Sequence, residues 1–171
     1  LEEGLREHAK RRLTPGWHPR SLHRNKVIVQ NLIEGLPGDF KVLCFSGRYY
    51  VLYRANRPND FRASGSGIFS HEIPEAVNKV DLLNYAEGVY DALDTPTASL
   101  DIGYDGRNFH LLEFQALHFG TLTAESSAGY HHRDGAGWGW TPERCDIEAV
   151  YAYAVHDYLQ RPPRSRLGPA S

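Results

Sequence analysis

Residues 97–121 read TASLDIGYDGRNFHLLEFQALHFGT, and this pattern predicts two β-strands joined by a turn. Each predicted strand is apolar on one side. Three side chains on this hairpin carry oxygen atoms that can bind a metal ion: Asp101, Glu113 and Gln115. Glu113 and Gln115 are two residues apart, so on a strand they point to the same face. The hairpin is therefore a candidate metal site, provided that Asp101 faces the same way.

The length of the turn decides which way Asp101 faces. A two-residue loop at 105–106 would set Asp101 opposite His110 and turn it to the other face, because a one-residue slip reverses every side chain. A loop of three or five residues keeps all three side chains together, and a five-residue loop at 105–109 sets Asp101 directly opposite Glu113. Two carboxylates at strand spacing repel each other unless a cation lies between them, and hard oxygen ligands suit Mg²⁺. The alternative is a solvated hairpin with scattered polar residues.

Composition and charge limit the classes of function. The chain has 171 residues, enough for one domain, and a net charge of −2, so no global field favours nucleic acid or an anionic membrane. No apolar run approaches the roughly 18 residues of a membrane span. Cys44 and Cys145 do not make a disulfide framework, which favours a reduced, cytoplasmic setting. Because the chain begins at Leu1 and not at Met, we expect it to start within a longer protein.

The remaining pattern predicts an α+β fold, an antiparallel sheet flanked by helices. Strands are predicted at 27–33 and, as a hairpin about Ser46-Gly47, at 40–45 and 48–54. Amphipathic helices are predicted at 74–93, with Pro74 first, and at 142–160, with Thr141 as the cap. Loops are predicted at 55–70 and 124–140. We expect both helices on one side of the sheet and a cleft on the other.

Three segments follow from this pattern. Residues 1–25 are an N-terminal helix and loop, residues 26–160 form the folded subdomain, and residues 161–171 are a flexible tail rich in Pro and Arg.

Five stretches in this order resemble the C-terminal half of an ATP-grasp ligase. They are VIVQNLI (27–33), GDFKV (38–42), Arg54 with NDFRASGSG (59–67), LDIG (100–103) and LLEFQ (111–115). In the family these are the hinge strand that receives adenine, the Asp-x-Arg/Lys strand, the loop that holds phosphates and the acyl intermediate, and the paired metal strands. The separation between the metal positions is similar to that in the glutamate- and peptide-ligase branch. The resemblance covers roughly residues 26–121.

The resemblance implies a role for each matching position. The adenine pocket would be lined, largely by backbone, by Gln30, Asn31, Leu32 and Ile33. Lys41 would approach the nucleotide, and Arg54 and Arg62 would contact the transferring phosphate or the acyl phosphate. The metal ligands would be Asp101, Glu113 and Gln115, holding one or two Mg²⁺ ions against the phosphates of ATP.

The implied reaction joins a carboxylate to an amine. The carboxylate takes the γ-phosphoryl group of ATP, and the amine then displaces phosphate from the acyl phosphate. The implied partners are small-molecule or peptide carboxylates and amines, with either the missing N-terminal ATP-grasp half or a second copy of the chain.

Two other classes of function stay open. Gln115 stands where the family usually has Asn, and the Gly-rich phosphate loop of the N-terminal half is absent from this sequence. These departures favour a non-catalytic nucleotide-binding or scaffold module with the same fold. The third class is an unrelated metal-dependent hydrolase or an enzyme that uses the histidines.

Overall fold

A computed structural model describes residues 31–57, 66–116 and 118–161 of the chain. By its contacts the chain divides into two units, Leu1–Leu32 and Ile33–Ser171, and every element below belongs to the second unit. The predicted helix and loop at 1–25, most of the tail at 161–171, and the candidate site residues Gln30 and Arg62 lie outside the described residues.

One antiparallel sheet organises the second unit. Its order is β5-β4-β1-β2-β6-β7, and β3 pairs with β2 beside this path. The strands are β1 (Gly38–Phe45), β2 (Arg48–Ala55), β3 (Phe69–Ser70), β4 (Thr97–Tyr104), β5 (Phe109–Gln115), β6 (Tyr130–Asp134) and β7 (Gly137–Thr141). Helices pack on this sheet, so the predicted α+β class, an antiparallel sheet with flanking helices, is confirmed.

The turn between β1 and β2 explains why this hairpin was predictable. Its two central residues, Ser46 and Gly47, have φ values of 41° and 87°. Two positive φ values give a turn whose twist matches that of the flanking strands, and glycine adopts such a φ without steric cost. The hairpin about Ser46-Gly47 is therefore confirmed, with Asp39 opposite Arg54 near its open end.

Helix α1 covers Lys79–Leu93 and begins later than predicted. Its N-cap is Asn78, whose side-chain oxygen accepts hydrogen bonds from the backbone N–H groups of Val80 and Asp81. The predicted start at Pro74 is wrong. Proline fixes a φ that suits turns as well as first helical positions, whereas the Asn side chain satisfies N–H groups that have no partner inside the helix.

Helix α3 (Ile147–Gln160) shows the same shift, and it follows a short helix α2 (Leu122–Glu125) that was not predicted. The side chain of Asp146 accepts a hydrogen bond from the N–H of Ala149 at 3.1 Å and caps α3. The predicted start at Pro142 is therefore wrong, while the predicted end at residue 160 is confirmed.

Strand β1 is apolar on both sides, and this decides where the helices pack. Phe40 and Val42 point to one face, where Leu83 of α1 joins their buried cluster. Leu43 and Phe45 point to the other face, where α3 contributes Val150 and Ala154. The two helices therefore lie on opposite faces of the sheet, and the expectation of both on one side is wrong. A strand buried on both faces needs a cover on each.

Residues 124–140, predicted as a loop, contain most of a second hairpin, formed by β6 and β7. Glycines and tryptophans made the segment resemble a loop, but cross-strand packing holds it in the sheet. A Cβ on Gly129, just before β6, would clash with the backbone oxygen of Thr141, so this position requires glycine. Trp138 packs edge-on against Tyr49 at 5.1 Å between ring centroids, and Arg133 forms an ion pair with Glu87 of α1.

The burial of His131 in this hairpin predicts a loss of stability in mild acid. His131 is 9% exposed, and burial, together with the nearby charge of Lys79, lowers its pKa from 6.5 to about 4. Between those values the unfolded chain binds more protons than the folded one, so the free energy of unfolding falls as the pH is lowered from 6.5 to 4. Urea unfolding at pH 7 and pH 4.5 measures this loss.

The matched variants separate His131 from the other histidines. His131→Gln should reduce the pH dependence, whereas His156→Gln, on the exposed side of α3, should retain that of the wild type. A pH dependence unchanged by His131→Gln would contradict the assignment.

Candidate functional site

The loop between β4 and β5 has four residues, 105–108, whereas the sequence left loops of two, three or five residues open. The carboxylate of Asp105 organises it by accepting hydrogen bonds from the N–H groups of Arg107 and Asn108, both at 2.8 Å. Its other oxygen contacts Nε2 of His110 at 2.8 Å. The hydrogen bonds from the Asn108 backbone, His110 and the Arg107 backbone lower the pKa of Asp105 to about 2. His110 is thus engaged in the turn.

A β-bulge then corrects the register that the four-residue loop would otherwise impose. Ile102 pairs with Leu111, but the next pair is Asp101 with Glu113, which leaves Leu112 as an extra residue on β5. Without it, Asp101 would face residue 112, and Glu113 would point to the other side. Asp101 therefore lies opposite Glu113, as a five-residue loop would have placed it.

Gln115 completes the set on the same face. It is paired with Ser99 on β4, and its Nε2 donates a hydrogen bond to Oε1 of Glu113 at 3.0 Å. Gln115, Glu113 and Asp101 are thus on one face, at adjacent positions of the edge strand β5 and its neighbour β4.

Two cationic side chains contact Asp101, one from the adjacent strand β1 and one from β2, the next strand beyond it. Lys41 lies directly opposite it on β1, with Nζ 3.0 Å from Oδ1. Arg54, on β2, places Nη2 at 2.9 Å from Oδ2. Each carboxylate oxygen of Asp101 therefore has its own cationic partner.

Asp39 also belongs to this group, although no site role of its own was predicted for it from the sequence. It is 7% exposed and binds Arg54 through two hydrogen bonds, from Nε to Oδ1 at 2.6 Å and from Nη2 to Oδ2 at 2.7 Å. Burial raises the pKa of Asp39, and the Arg54 guanidinium partly offsets this. The sequence contains the information for this pairing, because a hairpin centred on Ser46-Gly47 places residue 39 opposite residue 54.

These side chains form what we call the polar cluster. It consists of Asp39, Lys41, Arg54, Asp101, Glu113 and Gln115. It shares its sheet face with Leu43 and Phe45, over which α3 packs, but lies toward the other end of the same strands. Three carboxylates, two cations and an amide at this position can bind a ligand that combines anionic groups with a divalent cation.

Of the residues predicted to line the adenine pocket, three lie within the described part of the chain. Asn31 and Leu32 are exposed and Ile33 is partly buried, and none of the three belongs to a strand. The prediction of a strand through 27–33 is therefore wrong for its described part, where asparagine, a poor strand former, interrupts the apolar run.

The predicted metal ligands are oxygen donors of the kind that Mg²⁺ prefers. Within residues 31–57, 66–116 and 118–161, no three His, Cys, Asp or Glu side chains converge as metal ligands. The predicted set has two carboxylates and one amide oxygen, which are hard ligands of the kind that leaves positions for water and phosphate oxygens. Its fit to Mg²⁺ rests on this chemistry and on the Asp101–Glu113 pairing.

The histidines that could suggest another chemistry lie elsewhere. A pocket of about 570 Å³ is lined in part by His71, His131, Lys79 and Trp140. Because His131 pairs with Tyr49, whose side chain belongs to the core under α1, this pocket opens on the opposite face from the polar cluster.

The chain is an α+β protein whose antiparallel sheet carries the polar cluster on one face. No family model matches the sequence, and neither the curated proteins nor the solved structures that were compared with it give a match. In the described part of the chain, no helix combines the length and apolar character that crossing a bilayer requires.

Proposed function

We propose that the chain is the C-terminal half of a cytoplasmic ATP- and Mg²⁺-dependent ligase that joins a carboxylate to an amine. The observation that carries this proposal is the pairing of Asp101 with Glu113 on the face that also presents Gln115, Lys41 and Arg54. The order of the sequence stretches that resemble ATP-grasp ligases supports it.

In this proposal the polar cluster handles the charge of the triphosphate. Oxygens of Asp101, Glu113 and Gln115 would hold Mg²⁺, which supplies neutralisation of phosphate charge when bound. Lys41 and Arg54 would add positive charge beside the phosphates, and Arg62 would do so from the loop outside the described residues. Gln30, Asn31, Leu32 and Ile33 would line the adenine pocket. These residues position groups and offset charge, which is the main contribution of a protein to phosphoryl transfer.

The proposed reaction has two steps. A substrate carboxylate oxygen attacks the γ-phosphorus of ATP, and ADP leaves. The amine nitrogen then attacks the acyl carbon, phosphate leaves with the bonding electrons, and the nitrogen gives up a proton to form the amide. The partner that completes the site would be an N-terminal ATP-grasp half or a second copy of the chain.

A second candidate is a nucleotide-binding or scaffold module without turnover. The observation that favours it is the ion-pair network itself, in which both oxygens of Asp101 already have a cationic partner within 3.0 Å. Such a network can be purely structural, since a partly buried carboxylate needs paired charges in any case.

Calorimetric titration of the full-length protein with ATP and Mg²⁺ tests the proposal. We expect binding that requires Mg²⁺, and release of ADP only when a carboxylic acid and an amine from a substrate panel are both present. No binding of the nucleotide in the presence of Mg²⁺ would rule the ligase out. Binding without ADP release across the panel would favour the module.

A further inference from the structure

We propose that Asp39 is a positioning residue that keeps Arg54 in place when Asp101 turns from Arg54 and Lys41 to the metal–nucleotide complex. The inference rests on the proposed function and adds a division of labour between the two cations. Arg54 would remain fixed, and Lys41 would be released toward the phosphates.

The contacts of Arg54 support a fixed position. Its guanidinium donates to both oxygens of Asp39 at 2.6 and 2.7 Å, and only its third contact, at 2.9 Å, goes to Asp101. Two parallel hydrogen bonds between a guanidinium and a carboxylate fix orientation as well as distance. If Asp101 withdrew, Arg54 would keep two of these three contacts.

Lys41 is held quite differently. Its Nζ contacts Asp101 at 3.0 Å, and the described part of the chain gives it no other hydrogen bond or ion pair. Withdrawal of Asp101 would leave this ammonium without its partner. A flexible side chain with a compact charge can then follow the nearest anion, which in the proposed complex is a phosphate.

Arg54 also retains a donor for a ligand. Its Nη1 makes no hydrogen bond or ion pair with the described residues, because the contacts to Asp39 and Asp101 use Nε and Nη2. Asp39 itself is 7% exposed and lies opposite Arg54 in the hairpin register, so it acts through Arg54 and not on the ligand. This arrangement leaves one guanidinium nitrogen for an anion while the other two nitrogens are anchored.

A double-mutant cycle with a non-hydrolysable ATP analogue and Mg²⁺ tests this division. In the full-length protein, Asp39→Asn should weaken analogue binding about tenfold, the size typical of losing a partner that orients a ligand-binding group. Arg54→Lys removes the two-bond geometry, so adding Asp39→Asn to it should weaken binding by no more than about twofold further. Glu148→Ala on α3, which has no contact with the polar cluster among the hydrogen bonds and ion pairs of the described residues, combined with Asp39→Asn should instead show the full effect of Asp39→Asn.

Further variants separate positioning from a general effect on folding. Asp39→Glu keeps the buried charge but displaces the guanidinium, so it should fold and still bind the analogue several-fold more weakly, on the order of threefold or more. Glu87→Gln removes the acid of the Arg133–Glu87 ion pair on the opposite face and should leave the affinity unchanged.

The outcomes distinguish this inference from the proposed function. If the wild-type protein does not bind the analogue with Mg²⁺, both fall. If it binds, and folded Asp39→Asn or Asp39→Glu binds equally well, the positioning role alone is overturned. Additive effects of Asp39→Asn and Arg54→Lys, or an equal loss in Glu87→Gln, would also overturn it.

Discussion

Glu113→Ala is expected to abolish ATP-dependent ligation while leaving the fold intact. The side chain is exposed on the edge strand β5, so its removal opens no cavity. It lies opposite Asp101, however, and in the proposed mechanism it is a metal ligand. Loss of the ligand should lower the rate of ADP formation at least about a hundredfold, since removal of a single group that stabilises developing charge commonly costs that much.

For each variant of the full-length protein, the experiment measures the rate of ADP formation and, separately, the midpoint of urea unfolding. Glu148→Ala is the matched control, because it removes an exposed glutamate from α3, away from the paired strands. The control should retain wild-type turnover, and both variants should unfold near the wild-type midpoint. Turnover unchanged in Glu113→Ala would count against the metal assignment.

Among the variants proposed for this protein, Phe45→Ala is expected to cause the largest loss of stability. Phe45 is fully buried at the end of β1, and its ring contacts those of Tyr50, Phe119 and Tyr151 at centroid distances of 6.0, 6.0 and 5.0 Å. Truncation removes the transfer free energy of the ring and leaves a cavity between the sheet and α3. The expected decrease in the free energy of unfolding is about 3–5 kcal/mol.

Equilibrium urea unfolding measures this decrease, with Phe114→Ala as the control. Phe114 is also a strand phenylalanine, but it is 50% exposed, so its truncation should cost about 1 kcal/mol or less. Similar losses in the two variants would mean that burial against α3 does not stabilise the fold as the structure indicates.

Local chemistry made the hairpin of β1 and β2 predictable from the sequence. Ser46-Gly47 combines a turn signal with apolar strands on either side, and such a signal requires only the neighbouring residues. Pro74 and Pro142 predicted starts of α1 and α3 that are too early, because proline suits turns as well as first helical positions. The side chains of Asn78 and Asp146 accept the hydrogen bonds that begin each helix.

Long-range packing accounts for what the sequence did not reveal. Helices lie on both faces because β1 carries apolar side chains at odd and even positions. The sequence shows these side chains, but it does not show which helix packs on which face. The hairpin of β6 and β7 depends on contacts such as Trp138 with Tyr49, far apart in the sequence. Propensity within the segment alone favours a loop.

The sequence identified the side chains of the candidate site but not the register of the strands that carry them. Asp101, Glu113 and Gln115 were identified from their spacing, but the extra residue Leu112, and not a loop of three or five residues, brings them to one face. A bulge of this kind depends on how the edge strand packs, so the loop sequence does not specify it. The motif GDFKV includes Asp39, but its role depends on Arg54, its partner across the hairpin.

The double burial of β1 has a consequence for how this molecule melts. Val42 belongs to the layer under α1 and its neighbour Leu43 to the layer under α3, so neither layer can come apart without exposing the shared strand. The two layers should therefore unfold in a single cooperative transition. Since Lys41 of the polar cluster lies on the same strand, a ligand held there would slow amide hydrogen exchange in both helical layers at once.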